Sequence, residues 1–220
     1  MRVGILGGTG PAGTALAARL ASCGCDVVIG SRSAERAQST ADEIIAAWPS
    51  RTLNLRGGDN DEAASQPLVI VATPWDAAAS TAESVAEHLR DKVVITMANA
   101  LTKVGNELQP LVPPRGSVSV MVQALLPSSK VAAAFQHLPA KELSSLDHEM
   151  DSDVLICSDH KSAIDATAEL VRLVPGLRPL DAGTLSSASA IEAFTAVLIH
   201  LNMRYRTQSA IKITGARLPD

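Results

Sequence analysis

Val3-Gly4-Ile5-Leu6 runs straight into Gly7-Gly8-Thr9-Gly10-Pro11-Ala12-Gly13 and then into an Ala- and Leu-rich stretch that reads as a helix. Gly8 to Gly13 matches the G-x-G-x-x-G pattern. The pattern alone is weak, but here it follows an apolar strand and opens a helix. A second strand lies about twenty residues on, as a dinucleotide site requires. Early glycines permit a tight turn and let backbone approach a pyrophosphate, while the helix N-terminus supplies N–H donors and a positive dipole end. Pro11 suits a first helical turn, where its missing N–H costs little. The plainer reading is a glycine turn that only links strand to helix.

The end of the second strand indicates which dinucleotide. A site preferring NAD usually ends that strand with Asp or Glu, which binds the ribose diol. This chain reads Val27-Val28-Ile29-Gly30-Ser31-Arg32-Ser33, with Arg36 one turn further. A carboxylate would repel a 2′-phosphate, whereas a hydroxyl and two guanidinium groups bind it. Ser31 or Ser33 can also cap the following helix without occupying the arginines. The expected cofactor is NADP(H).

Outward from this unit, short β-branched runs alternate with helical stretches, the pattern of βαβ units and a parallel sheet. Expected strands are Arg2–Leu6, Asp26–Ile29, Thr52–Leu55, Leu68–Ala72, Lys92–Thr96, Val131–Phe135, Val154–Cys157 and Arg178–Leu180. Expected helices are Pro11–Ser22, Ala34–Trp48, Asp76–Leu89, Lys161–Leu173 and Ser187–Thr207. Pro110, Pro113, Pro114 and Gly116 mark an irregular mid-chain crossover. The expected fold is α/β, a Rossmann-type doubly wound parallel sheet over residues 1–130, with a small C-terminal α/β lobe over residues 131–220. A chain of 220 residues can bury a sizeable core. With only 2% aromatic residues, that core is expected to be thin and rich in methyl groups.

In open parallel sheets, ligands bind beyond the carboxyl ends of the strands. Trp75, after the fourth expected strand, could stack on a flat ring or cover the Ala-rich core. Asn99, after the fifth, could bond a carboxamide or ribose, or form an ordinary Asx-turn. His137, after the sixth, could titrate near neutrality or make a non-catalytic hydrogen bond. Cys23, Cys25 and Cys157 are an odd set and read as reduced thiols. His148, His160 and His200 lack the carboxylate spacing of a zinc site, so no metal is expected. A G-x-S-x-G elbow is absent, which removes support for hydrolase chemistry.

The net charge is −4, which excludes a globally basic nucleic-acid binder. It conceals an asymmetry. Residues 204–220 hold Arg204, Arg206, Lys212 and Arg217 against Asp220 alone, a local +3 that leaves −7 elsewhere. Such a segment could attract an anionic ligand tail or complement a helix C-terminus. The first strand starts almost at Met1, leaving no room for a signal peptide. The longest late apolar stretch, Phe194 to Leu201, is too short and polar to span a bilayer. The expected location is the cytoplasm.

Taken together, Ile5-Leu6-Gly7-Gly8-Thr9-Gly10 with Gly13 and Ile29-Gly30-Ser31-Arg32 resemble the NADPH-dependent coenzyme F420 reductases. So do Thr73-Pro74-Trp75, the run Ala133-Ala134-Phe135-Gln136-His137-Leu138-Pro139-Ala140, and Asp153-Val154-Leu155. Gly176 to Gly183 and the late helix ending in Asn202 extend the likeness over nearly the whole chain; Thr102 to Ser129 matches least. The resemblance implies a Rossmann lobe and a small second lobe, usually as a homodimer, with a deazaflavin in the cleft between them. It implies NADP at Thr9, Gly10, Pro11 and Ala12, then at Ser31, Arg32 and Arg36. Trp75, Asn99 and Ala140 match positions on the nicotinamide side. Ala100 stands where some members have Pro, and Gln136 where others have His.

The chemistry implied is direct hydride transfer between NADP(H) and coenzyme F420. No side chain need act as acid, base or nucleophile, and Trp75, Asn99 and His137 would position the rings. Two other readings share the sequence features: an NADPH-dependent reductase of a flavin or ferric iron, and a non-catalytic NADP-binding sensor. A β-hydroxyacid dehydrogenase would need a longer helical second domain and a catalytic Lys.

Overall fold

A computed structural model describes residues 1–216; Arg217 and Asp220 of the basic segment lie outside the described residues. The first half alternates strand and helix: β1 (Arg2–Leu6), α1 (Pro11–Ser22), β2 (Asp26–Ser31), α2 (Ala34–Ala47), β3 (Leu55–Asp59), α3 (Asn60–Ala64), β4 (Leu68–Val71), α4 (Trp75–Ser84), α5 (Ala86–Leu89) and β5 (Val93–Thr96). A hairpin, β6 (Leu101–Val104) and β7 (Glu107–Pro110), and α6 (Val118–Leu125) lead to β8 (Lys130–Ala133). The remainder is α7 (Ala140–Ser144), β9 (Ser152–Ser158), α8 (Lys161–Arg172), β10 (Leu177–Asp181) and α9 (Ala188–Tyr205).

Eight strands form one sheet in the order β10-β9-β8-β5-β4-β1-β2-β3. β1 pairs in parallel with β2 on one side and β4 on the other, so the strand order reverses there and opens a crevice beyond its carboxyl end. Successive β1 side chains point to opposite faces. Val3 and Ile5 join one apolar layer and Leu6 the other, each with less than 1% exposure. The layers are built largely of Ala, Val, Leu and Ile, with Phe135 the largest fully buried side chain.

The strands of the first half that join this sheet, β1 to β5, are all parallel, as expected, and the direction changes only in the second half. β8 runs parallel to β5, but β9 is antiparallel to β8, and β10 follows β9. An antiparallel partner needs no crossover. The connection from Ala134 to Asp151 therefore stays at the carboxyl end of β8, carrying Gln136, His137 and α7 to the same edge as the glycine loop.

Several elements also differ from expectation. β3 is Leu55–Asp59 rather than Thr52–Leu55, despite Gly57 and Gly58, which disfavour strands. A Cβ on Gly57 would lie 2.0 Å from the Gln38 N, so glycine is there to let α2 approach the sheet. The helix expected over Asp76–Leu89 starts at Trp75 and breaks at Val85, whose φ of −119° leaves the helical region. The mid-chain crossover contains a regular hairpin and the helix α6, capped by Ser117. Beyond β8, the strand expected to reach Phe135 ends at Ala133.

Candidate active site

β1 ends in Gly7, whose φ of +63° is left-handed; a Cβ there would also lie 2.1 Å from Thr73 Cγ2. The tight turn is thus made by Gly7, one residue before the motif. Gly8 and Gly13 are buried beneath the turn, and a Cβ on Gly13 would lie 2.8 Å from Gly8 Cα. Their lack of a side chain lets α1 pack closely against β1. Gly10 is different: it caps α1 with extended backbone, and a Cβ there would meet no protein atom within 4 Å. No side chain caps α1, and Pro11 occupies its first turn. The amides of Ala12 and Gly13 stand at the positive end of the helix dipole, where an anion is favoured.

A cavity of about 520 Å³ begins at this loop and is lined by Thr9, Gly10, Ser31, Arg32, Arg36 and Asn60, with Thr73 and α4 opposite. Ser33 caps α2 by accepting the Arg36 N–H at 3.2 Å, and Ser31 Oγ accepts the Ser33 N–H at 3.4 Å. Both arginines are exposed, and among the described residues neither pairs with a carboxylate. The cap and the free guanidinium groups therefore coexist. β2 ends in Ser31, with no acid to repel a phosphate.

Two further cavities continue from the first along the carboxyl edge. One, of about 290 Å³, shares Gly10, Thr73 and Pro74 with it and adds Pro11, Ala12, Trp75 and Asn99. The next, of about 400 Å³, shares Ala12, Met97 and Asn99 and is walled by Gln136 to Lys141 and by Thr195, Leu198 and Asn202 of α9. Three chain segments expected to meet, around Gly10, Trp75–Asn99 and His137–Ala140, thus line one continuous cleft. Trp75 is the first residue of α4 rather than a loop residue, half-buried against the apolar core and facing the second cavity. Trp75 thus covers part of the Ala-rich core while one side of it lines a cavity.

The third cavity is held in shape by polar contacts. Asn99 Nδ2 donates to the Gln136 carbonyl at 2.7 Å, in place of an Asx-turn, and Thr195 Oγ1 donates to the same oxygen at 3.4 Å. Phe135 just before has a φ of +66°, an uncommon conformation for a bulky residue, and turns Gln136 and His137 toward the cleft side. α7 is fastened by Arg19 of α1, which is buried and donates to four carbonyls, those of Leu143, His148, Glu142 and Ser145. The helix that presents its N-terminus to the first cavity therefore also anchors the wall of the third. On α9, the buried Glu192 carboxylate accepts the N–H groups of Val118 and Ser119 at the start of α6. Burial pushes its pKa up, and those hydrogen bonds offset part of the rise.

Several buried polar atoms along the cleft have no protein partner: Thr73 Oγ1, Asn99 Oδ1, both side-chain atoms of Gln136, and His137 Nδ1. Leaving such a group unpaired costs about 1–3 kcal/mol. Thr73, Asn60 and Gln136 line these cavities and were not singled out by the motif reading. The available signal for Gln136 was its place as the first polar residue after the apolar run Val131–Phe135, but that gives no spacing.

His137 is 2% exposed and its Nε2 lies 2.9 Å from the Asp153 carbonyl. A carbonyl only accepts, so Nε2 carries the proton and Nδ1 is an acceptor. Burial pushes the imidazole pKa down, against a smaller upward pull from the Asp153 carbonyl and charge, so the ring is neutral near pH 7. Behind it, Asp153 takes two hydrogen bonds from Arg178, at 2.6 and 2.8 Å, and one from the Ile213 N–H at 2.6 Å. Burial raises the Asp153 pKa, but those bonds and the charges of Arg178 and Lys212 outweigh it and hold the carboxylate below its usual range. The contacts pin the chain after α9 alongside β9, bringing Gln208 and Ser209 to the rim of the third cavity.

A pH dependence follows. An unfolded histidine takes its proton near pH 6.5, whereas folded His137 resists it to lower pH. The unfolded state then binds more protons, so His137 contributes stability that is full above about pH 6.5 and is lost as pH falls from there. Melting temperatures from pH 8 to pH 5 are expected to fall more steeply in the wild type than in His137→Asn; parallel curves would contradict the buried neutral ring.

The buried thiols among the described residues are not activated. Cys23, Cys25 and Cys157 are free thiols. Burial raises Cys25, and pushes Cys157 up to about 11 with help from the charges of Asp181 and Glu192, so both are protonated near neutrality. Among the described residues, no three His, Cys, Asp or Glu side chains converge as a metal site would require. No helix there is long and apolar enough to cross a membrane.

Residues 2–100 match the family model for NADP oxidoreductase, coenzyme F420-dependent. The F420-dependent NADP reductase of Methanocaldococcus jannaschii is 35% identical over 224 residues, spanning 99% of this chain and 100% of that protein. The enzyme of the same description from Methanothermobacter marburgensis is 36% identical over 221 residues, 98% of this chain and 99% of that one. Among solved structures, one from Arthrobacter sp. FB24 superposes with a TM-score of 0.82 at 24% identity, covering 99% of this chain and 100% of that one, and supports the fold.

Proposed function

This chain belongs to the coenzyme F420-dependent NADP oxidoreductases, and from that premise we infer that its cleft brings NADP(H) and the deazaflavin coenzyme F420 together for hydride transfer. The observation that carries the reading is the continuity of three cavities along one sheet edge. The first suits a dinucleotide phosphate and the third a second flat ring. Matches that run end to end with reductases of this kind favour it over a flavin or ferric reductase and over a non-catalytic sensor.

The residues present suit both molecules. Open space at Gly10 and the uncapped N-terminus of α1 leave room and donors for a pyrophosphate at Thr9, Gly10, Pro11 and Ala12, with Gly8 and Gly13 supporting the loop from below. Ser31, Arg32 and Arg36 would hold the 2′-phosphate. Trp75, Asn99 and Ala140 would set the nicotinamide, with Asn99 Oδ1 free to accept from its carboxamide. Bound together, the two rings supply the chemistry themselves, a hydride passing between nicotinamide C4 and deazaflavin C5. The protein's share is to orient and to exclude water. His137, neutral and locked to the Asp153 carbonyl, acts as a positioning residue and not as an acid.

In this reading residues 1–130 carry NADP, and residues 131–220 complete the deazaflavin cleft through the Gln136–Ala140 segment and α9. Phe194, Val197, Leu201 and Tyr205 form an exposed apolar stripe on α9, which supports a homodimer built on that helix. The three free thiols suit a reducing cytoplasm. Purified protein given NADPH and F420 is expected to bleach the oxidised deazaflavin absorbance. NADPH binding without bleaching would overturn the function.

A further inference from the structure

We propose that Gln136 reads the imide edge of the deazaflavin's pyrimidinedione ring, pairing its side-chain N–H and C=O with a ring carbonyl and the adjacent ring N–H. The proposal rests on the deazaflavin reading of the third cavity and adds to it the residue that recognises the ring.

Three observations carry it. Gln136 is fixed in place: it is 4% exposed, follows the left-handed Phe135, and its main-chain carbonyl is held by Asn99 Nδ2 and Thr195 Oγ1. Its carboxamide is nevertheless unused. Among the described residues it is the one side chain with both a buried donor and a buried acceptor left without a protein partner. Finally, it stands in the wall of the third cavity among apolar side chains, Met97, Leu138, Leu198 and Ile199. The polar residues of the same wall, among them Asn99, His137, Thr195 and Asn202, make no hydrogen bond to its carboxamide.

The chemistry of the group narrows the ligand. A primary amide places one N–H and one C=O side by side in a plane, and its natural complement is another such pair, met by two parallel hydrogen bonds. A pyrimidinedione carries that pair on its imide edge. The other candidate, the carboxamide of nicotinamide, is served nearer the glycine loop by Asn99, which lines both the second and third cavities. His137 Nδ1, beside Gln136, has only a lone pair to offer and cannot make a two-bond match.

The test compares coenzyme F420 with its N3-methyl derivative, which keeps the reacting C5 but lacks the ring N–H. Equilibrium Kd is read from deazaflavin fluorescence, beside kcat and KM with NADPH. The wild type is expected to bind the methylated compound about tenfold to a hundredfold more weakly than F420. Gln136→Met is expected to bind the two alike and F420 more weakly than the wild type does, with the Kd for NADPH unchanged. Gln136→Leu, which also lacks both donor and acceptor, covers the case in which the Met variant fails to fold; it too should lose the discrimination. F420 bound by the wild type without discrimination, or discrimination that survives both substitutions, would overturn the role of Gln136 alone. Wild-type protein that binds NADPH but not F420 would overturn the reading of the cavity beneath it.

Discussion

Replacing Arg32 with Ala is expected to lower kcat/KM for NADPH by about thirtyfold to a hundredfold while changing the value for NADH by no more than about twofold. The two cofactors differ only in the 2′-phosphate, so a group that serves that phosphate alone must show its loss in one of them. Arg32 stands just past the end of β2, exposed, in the wall of the first cavity and free of any carboxylate among the described residues. Its removal breaks no internal contact, and the melting temperature should not move. Arg32→Lys should recover only part of the loss, since an ammonium keeps the charge but not the two-pronged geometry. Arg36→Ala should act in the same direction. If Arg32 served mainly to stack on adenine, NADH would suffer as much as NADPH. Equal losses measured in steady-state kinetics would therefore refute the phosphate assignment.

Two glycines of one motif are expected to fail in opposite ways. Gly13→Val forces a branched side chain into a gap where even a Cβ would lie 2.8 Å from Gly8 Cα and 2.9 Å from its carbonyl oxygen. Backbone on both sides cannot step aside as a side chain would. The expected cost is about 3 kcal/mol or more, a fall in melting temperature of about 6–12 °C for a chain of this size. Gly10→Val meets no protein atom and has a negative φ, so its melting temperature should stay within about 3 °C of wild type. Its side chain would instead fill the approach to the helix N-terminus and weaken NADPH about a hundredfold or more, by displacing charged hydrogen bonds. Calorimetry and NADPH titration of the two variants separate these outcomes. A stable Gly13→Val, or a Gly10→Val that binds NADPH normally, would show that the loop is read wrongly.

These contrasts also explain what was legible in the residues. Gly8-x-Gly10-x-x-Gly13 placed a phosphate loop, but the pattern does not separate the glycine that faces a ligand from those that pack, because that depends on which neighbour approaches each Cα. That Ser31, Arg32 and Arg36 would stand together at the end of β2 was readable because local chemistry decides it: a strand end, a cap and two cations. β3 was misplaced because its glycines serve contact with α2, a tertiary demand that overrides strand propensity. The hairpin of β6 and β7 did leave a signal, Gly105-Asn106 between two alternating runs, which is a two-residue turn of the hairpin type. The reversal of β9 left none. Its direction follows from where the connection after Phe135 lies, and that reversal is what brings Gln136 and His137 into a cleft whose other side is contributed by residues some hundred positions earlier in the chain.

Direct transfer in this cleft means that two rings exchange hydrogen without passing it through solvent or a side chain. NADPH carrying deuterium at both C4 positions, mixed with F420 and the protein in ordinary water, tests this directly by mass and NMR analysis of the reduced deazaflavin. The expected product carries one deuterium, at C5. A reduced deazaflavin holding only solvent hydrogen at C5, or no reduction by protein that demonstrably binds both molecules, would contradict it.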